Sequence, residues 1–180
     1  MASPFRIAFV PGVTPGKWVR TWEERRLGPL EAFMVDESDQ RGVLEDERAD
    51  MCFVRLPVDR DGLHLIPLYA EKPVVVVPKE HPATVFETVT AADIADELQL
   101  TLSEDLNAKQ AIETVAAGTG VVVVPMSIAR LHHRRDVEFV VVEDLPETQV
   151  GLAWRSDRED DRFDTFIGVV RGRTARSSRG

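Results

Sequence analysis

The chain has a single cysteine among 180 residues, Cys52. One cysteine excludes an intrachain disulfide, and its place in the apolar run MCFV predicts a buried structural thiol in a reducing, cytoplasmic setting. No apolar stretch approaches the roughly 18 residues needed to cross a bilayer. The N-terminus, MASPFRIAFVPG, has only a short apolar stretch broken by Arg6, so neither a secretion signal nor a membrane anchor is expected.

The body of the chain also lacks basic charge. The last ten residues hold four of the 22 basic residues and none of the 31 acidic ones, so residues 1 to 170 carry 18 − 31 = −13. A surface this acidic is not built to ride on phosphate backbones, so direct sequence-specific DNA binding is not expected. The basic tail RGRTARSSRG, 171–180, reads as a disordered, solubilising end.

Catalytic signatures are missing as well. There is no GxSxG elbow, and Cys52 lies mid-strand, where a nucleophile would be unreachable. GTG at 118–120 lacks the further glycines of a phosphate-binding loop. The four histidines are scattered: His64 on a strand, His81 in a turn, and His132 and His133 beside Arg134 and Arg135 on a basic patch. Adjacent histidines on a helix point apart, so no metal site and no cofactor is expected. The acid clusters 157–161 (DREDD) and 45–47 suit solvated faces and helix starts better than acid–base pairs.

What the sequence does contain is an α/β alternation in an ordinary globular composition, 43% hydrophobic and 29% charged. Phe5–Val10 reads as a strand ended by the turn run 11–16. A helix follows with Thr14 as its cap, Pro15 in its first position, and Trp18, Val19, Trp22 and Arg26 at helical spacing. Strands are expected at 30–35, 50–55, 63–69, 73–77, 98–102, 121–124, 137–142 and 149–155, with helices at 39–47, 107–117, 126–131 and 160–170 and a short helix near Thr90. The continuously apolar runs MCFV and VVVV suit strands buried on both faces, hence mainly parallel sheets.

Four strings, in order, carry a resemblance over residues 5–170: FRIAFVPGVTPGKW, ADMCFVRLPVDRDGLHLIPLYAEKPVVVVPKEHP, ADIADE and AIETVAAGTGVVVVPMSIA. Together they resemble the effector-binding (substrate-binding) domain of LysR-type transcriptional regulators, without the helix-turn-helix that precedes it in such regulators. The resemblance implies an α/β, two-lobed type 2 periplasmic-binding-protein-like fold. Lobe I would comprise about 5–77 and 156–170, and lobe II about 83–148. Crossovers would lie at 78–82 and 149–155, and residues 1–4 would form a short extension. The stretch between LTLSED and AIETVAAG is short for the family, so the second lobe is expected to be shortened.

The resemblance further implies a non-enzymatic module that binds a small, anionic ligand in the cleft between lobes. Gly12, Val13 and Thr14 would contribute after the first strand, with Lys17 one turn into the helix; Thr14 alternatively only caps that helix. Arg55 would grip a carboxylate in bidentate fashion, its alternative being a surface salt bridge. Ser103 and Glu104 would contribute from lobe II, with Ser103 equally a helix cap. Gly118 and Gly120 are assigned to backbone geometry.

A homodimer is implied, with Trp18 and Trp22 either on its face or in the core, together with a DNA-binding protein partner through which transcription is regulated. Two alternatives stand beside this reading: an enzyme on the same fold, similar to prephenate dehydratase, and a ligand-free dimerisation module.

Overall fold

Strand β1 (Phe5–Phe9) has apolar residues for both of its faces and becomes an inner strand. In the computed structural model, which describes residues 3–172, it pairs in parallel with β2 (Leu30–Met34) and β3 (Met51–Arg55). All five residues of β3 are buried, as its unbroken apolar run requires. On its other side β3 meets β9 (Thr148–Arg155) in antiparallel register, and β4 (Leu63–Glu71) completes the order β2-β1-β3-β9-β4.

One face of this sheet is covered by α1 (Gly16–Glu24) and α5 (Asp161–Val170). Its core is aromatic: the rings of Phe5 and Phe166 meet edge-on at 5.7 Å, and Trp18 stacks on Phe53 at 4.9 Å. Trp22 is buried and donates its indole N–H to the carbonyl of Gly28 at 2.9 Å. Trp22 therefore belongs to the core, while Trp18 is partly buried and packs against it. Removing one of the buried rings, as in Phe166→Ala, is worth about 3–5 kcal/mol of stability.

The opposite face packs Ala8, Cys52, Val54 and Ala153 against Val43 and Leu44 of α2 (Gly42–Glu45). The helix expected over 39–47 is thus reduced to a 3-10 turn (Glu37–Asp39) and this single helical turn. Asp39 is drawn back onto the Arg48 guanidinium at 2.7 and 2.9 Å, and Glu47 takes a left-handed φ of 56°, which ends the helix. Arg26 likewise lies outside α1, at φ 54°.

A second sheet has the order β6-β8-β5-β7, built from β5 (Pro73–Pro78), β6 (Thr88–Val89), β7 (Val122–Pro125) and β8 (Val137–Val142). The valines of β5 face both ways. Val74 and Val76 pack with α3 (Ala108–Ala116) and α4 (Met126–Leu131), while Val75 and Val77 pack with Ala83, Val89 and Ile94 of the opposite cover. That double burial is what the run VVVV reports.

Strand direction is another matter. β5 is antiparallel to both β7 and β8, and only β6 runs parallel to β8, so the sheets are mixed where mainly parallel ones were expected. Burial on two faces depends on the layers above and below, not on the direction of neighbouring strands.

The expected strand 98–102 is absent. One parallel bridge, Gln99 to Val121, is all that forms, through Val121 N–H to the Leu98 carbonyl and Leu100 N–H to the Val121 carbonyl. Leu98 and Leu102 are exposed, and only Leu100 of LQLTL packs against a core.

The chain divides into two units, one of residues up to Tyr69 together with those from Gln149 onward, the other Ala70–Thr148. The division falls at 69/70, whereas 78–82 was expected, so β5 belongs to the second unit. On the return, β9 lies within the first unit. The tail from Arg173 and the first two residues of the extension lie outside the described residues.

Candidate functional site

The loop after β1 is shaped by its own sequence. Val13 N–H donates to the Val10 carbonyl at 3.2 Å across Pro11 and Gly12, and Gly12 has φ 91°. Proline followed by a residue at positive φ is the pattern of a type II turn. Val13 is buried in the first core, so its side chain is closed to a ligand. Thr14 is exposed, and Lys17 is exposed with its ammonium 4.8 Å above the Trp18 ring.

Thr14 does not cap α1. Pro15 holds the cap position at φ −80° and ψ 0°, with no side-chain cap bond, while its carbonyl accepts the N–H groups of Trp18 and Val19. Thr14 is one residue too early to reach the first turn. The N–H groups of Gly16 and Lys17 consequently lack an intrahelical acceptor, and the positive end of the helix dipole stays uncovered by any side chain. Thr14, Gly16 and Lys17 form the exposed rim of this loop, all on one connected stretch of the first unit.

Arg55, at the end of β3, is neither a surface ion pair nor an open clamp. It is 2% exposed. Its Nη1 donates to the Pro11 carbonyl at 3.0 Å and meets the Glu37 carboxylate at 3.3 Å. The guanidinium thus ties the β1–α1 turn to the neighbouring strand and fixes the rim from behind.

A residue that sequence reasoning missed completes this support. β1 stops pairing with β3 at Phe53, which leaves the next rung of that edge open. Gln40 takes the place of a strand there: its Oε1 accepts the Arg55 N–H at 2.9 Å and its Nε2 donates to the Arg55 carbonyl at 3.0 Å. Gln40 is buried, although it lies in the polar run ESDQRG, which carries no signal of burial.

In the second unit Ser103 and Glu104 are exposed on an irregular segment. Ser103 does not cap α3. Its hydroxyl accepts the Asp105 N–H at 3.3 Å, and its backbone closes a turn with Leu106. Asn107 is the cap, in a reciprocal box with Gln110 whose two bonds are both 2.9 Å. Here the helix start is already satisfied by its own side chains, in contrast to α1. Glu104 is an acid, a poor neighbour for an anion.

Cys52 is buried in β3, where burial, helped by the charge of Asp39, pushes its thiol up to about 12. Among the described residues no three His, Cys, Asp or Glu side chains converge as a metal site. No helix among them is long and apolar enough to cross a membrane.

Two mixed α/β sheets, the first interrupted in sequence by the second, define a two-lobed, periplasmic-binding-protein-like class of fold. The chain belongs to the LysR substrate binding domain family, whose model matches residues 24–114, just over half of its length. That family is one of binding domains, not enzymes.

Among solved structures, a variant of the BenM effector binding domain superposes with a TM-score of 0.80 at 20% identity, covering 95% of this chain and 94% of that one. The BenM effector binding domain with its effector benzoate gives 0.78 at 20% identity, covering 94% and 90%. A mutant of the OxyR regulatory domain from Pseudomonas aeruginosa gives 0.75 at 21% identity, covering 95% and 97%. At such identity these likenesses speak for the fold. No curated protein matches the chain.

Proposed function

We propose that the chain is an effector-binding module that takes a small organic anion, a carboxylate above all, at the rim after β1 and passes the binding event to transcription through a DNA-binding partner. The observation that carries this reading is the β1–α1 rim. An uncapped helix start, the exposed Thr14 and the exposed Lys17 lie on one short stretch, and Arg55 ties the turn before it to β3, where Gln40 holds the Arg55 backbone. Unpaired N–H groups at a helix start, with a nearby cation, attract carboxylates. The resemblance of the fold to BenM, solved with benzoate, supports the same ligand class.

In the second unit, taken by itself, the exposed Ser103 hydroxyl is a candidate donor, with Glu104 exposed beside it. The protein acts in the cytoplasm as a homodimer in the same scheme. Sensing through a thiol, by contrast, has no support, since Cys52 is buried and held as the thiol.

The test is a thermal-shift and calorimetric screen of the purified chain against small aliphatic and aromatic carboxylates, benzoate included, with sugars and amines as controls. A ligand at 100 times its Kd stabilises the folded form by about 2.7 kcal/mol, a Tm rise of roughly 5–10 °C at this chain length. Thr14→Ala and Lys17→Ala each weaken binding without lowering the ligand-free Tm. If no carboxylate shifts the melt, or if both variants bind as well as the parent, the assignment of the rim is wrong.

A further inference from the structure

The second unit leaves apolar side chains in solvent on one cover of its sheet. Val85 is 80% exposed, Phe86 60% and Leu98 61%. Apolar residues standing singly on a surface are ordinary, but these three sit on two segments that are fastened together. His81 caps the turn Pro82–Val85 through Nδ1, which accepts the Ala83 N–H at 3.1 Å, and bonds the Glu97 carboxylate, next to Leu98, through Nε2. Beneath them Ala83 and Ile94 pack with Val75 and Val77 of β5.

The surroundings are acidic. From Glu80 to Ala108 the chain has no Lys or Arg. Glu87, Asp93 and Asp96 are exposed there. The turn after β8 adds two more acids: Glu143 accepts the Thr88 hydroxyl at 2.9 Å and Asp144 the Ala91 N–H at 2.7 Å. Several acids elsewhere meet arginine, as Asp39 meets Arg48 and Asp136 meets Arg134. Among the described residues none of these five forms an ion pair with Lys or Arg.

Apolar side chains ringed by unneutralised carboxylates match a partner of the opposite rim, lysine or arginine around an apolar centre. Strand addition does not fit, because the edge of the sheet on this side is β6, only two residues long. A helix with one apolar and one cationic face fits both features.

We propose that this cover is a docking surface for a cationic amphipathic helix of another protein, its apolar face on Val85, Phe86 and Leu98 and its lysines or arginines among the surrounding carboxylates. The surface is independent of the ligand reading above, since it uses no residue of the β1–α1 rim.

Fluorescence anisotropy on the full chain tests this, with a labelled leucine–lysine peptide of about 18 residues whose leucines share one helical face. A peptide of the same composition in shuffled order controls for charge alone. The amphipathic peptide is expected to bind saturably at about 0.05 M salt, at least about tenfold tighter than the shuffled one, and to weaken severalfold at about 0.5 M. Phe86→Ser, which changes no charge, weakens binding at least about tenfold. Glu87→Gln combined with Asp96→Asn weakens it at low salt and flattens the salt dependence. Leu131→Ser, at an exposed position of α4 on the other cover, leaves it unchanged. All these positions are exposed, and an unchanged melting curve verifies folding. No binding by the wild type, equal binding of the shuffled peptide, or a Phe86→Ser variant that binds like the wild type overturns the proposal. So does a weight-average mass that rises with concentration in the wild type and not in Phe86→Ser, since the occupant would then be a second copy.

Discussion

Replacing Gln40 by leucine isolates the support behind the β1–α1 rim. The two side chains are similar in length, so little volume changes, but the Arg55 N–H and carbonyl both lose their partner in a site that is 6% exposed at Gln40 and 2% at Arg55. A buried backbone group left unpaired costs about 1–3 kcal/mol, so the pair together amount to roughly 2–6 kcal/mol. For a domain of this size that lowers Tm by about 4–24 °C, at 2–4 °C for each kcal/mol. Urea unfolding followed by circular dichroism gives the value as a shift in midpoint at constant m. Gln40→Glu provides the chemical control: protonated, it both accepts from the Arg55 N–H and donates to its carbonyl, so it regains stability as pH falls, whereas leucine does not. A loss below about 0.5 kcal/mol for leucine, with m unchanged, would refute the idea that this side chain serves as the missing rung.

Three further outcomes are expected. Gly118→Ala and Gly120→Ala both place a methyl group on a residue of positive φ, at 90° and 77°, but only at Gly120 would the new carbon meet backbone, the Leu98 carbonyl at 2.5 Å. The first is expected to cost about 1–2 kcal/mol and the second at least about 1 kcal/mol more in urea unfolding, through loss of the bridge to Val121; equal values would discount that bridge. Asp160→Ala removes the carboxylate that accepts the Arg162 N–H at 2.9 Å to cap α5, for about 0.5–2 kcal/mol. Hydrogen bonding to the Arg162 guanidinium holds this carboxyl below its usual range, so its contribution is complete above about pH 4 and fades as pH falls through the lowered value. The acid limb of the stability curve should accordingly be shallower in the variant. Cys52, finally, resists aromatic disulfide reagents at pH 8 until urea unfolds the chain, and rapid stoichiometric labelling of the native protein would contradict its burial.

Much of the fold was legible in the residues. Runs such as MCFV and VVVV marked strands enclosed from two sides, and Asn107 and Asp160 lie at the starts of helices that begin where periodicity placed them. Direction was not legible, because a valine buried between two layers looks the same whichever way its neighbour runs. LQLTL failed for a different reason: its pattern suits a strand, but only Gln99 finds a partner.

Around the candidate site, the turn at Pro11 and Gly12 and the helix after it were readable, but the cap falls on Pro15 and not on Thr14. The role of Arg55 changed from ligand clamp to buried tie, and Gln40 was invisible, since its burial depends on an open rung about 50 Å of extended chain away in sequence, beyond any local pattern.

The interruption of the first unit by residues 70–148 bears on how the chain is made. The second unit is continuous and has all its strands once Thr148 has left the ribosome. The first cannot close: β3, buried along its whole length, has no neighbour on one side until β9 is synthesised, and one cover of the aromatic core is α5, near the end of the chain. Vectorial synthesis therefore favours the inserted unit folding first, while MCFV waits with an unpaired apolar edge. A nascent chain stalled before β9 is the form of this protein most exposed to aggregation and to chaperone capture.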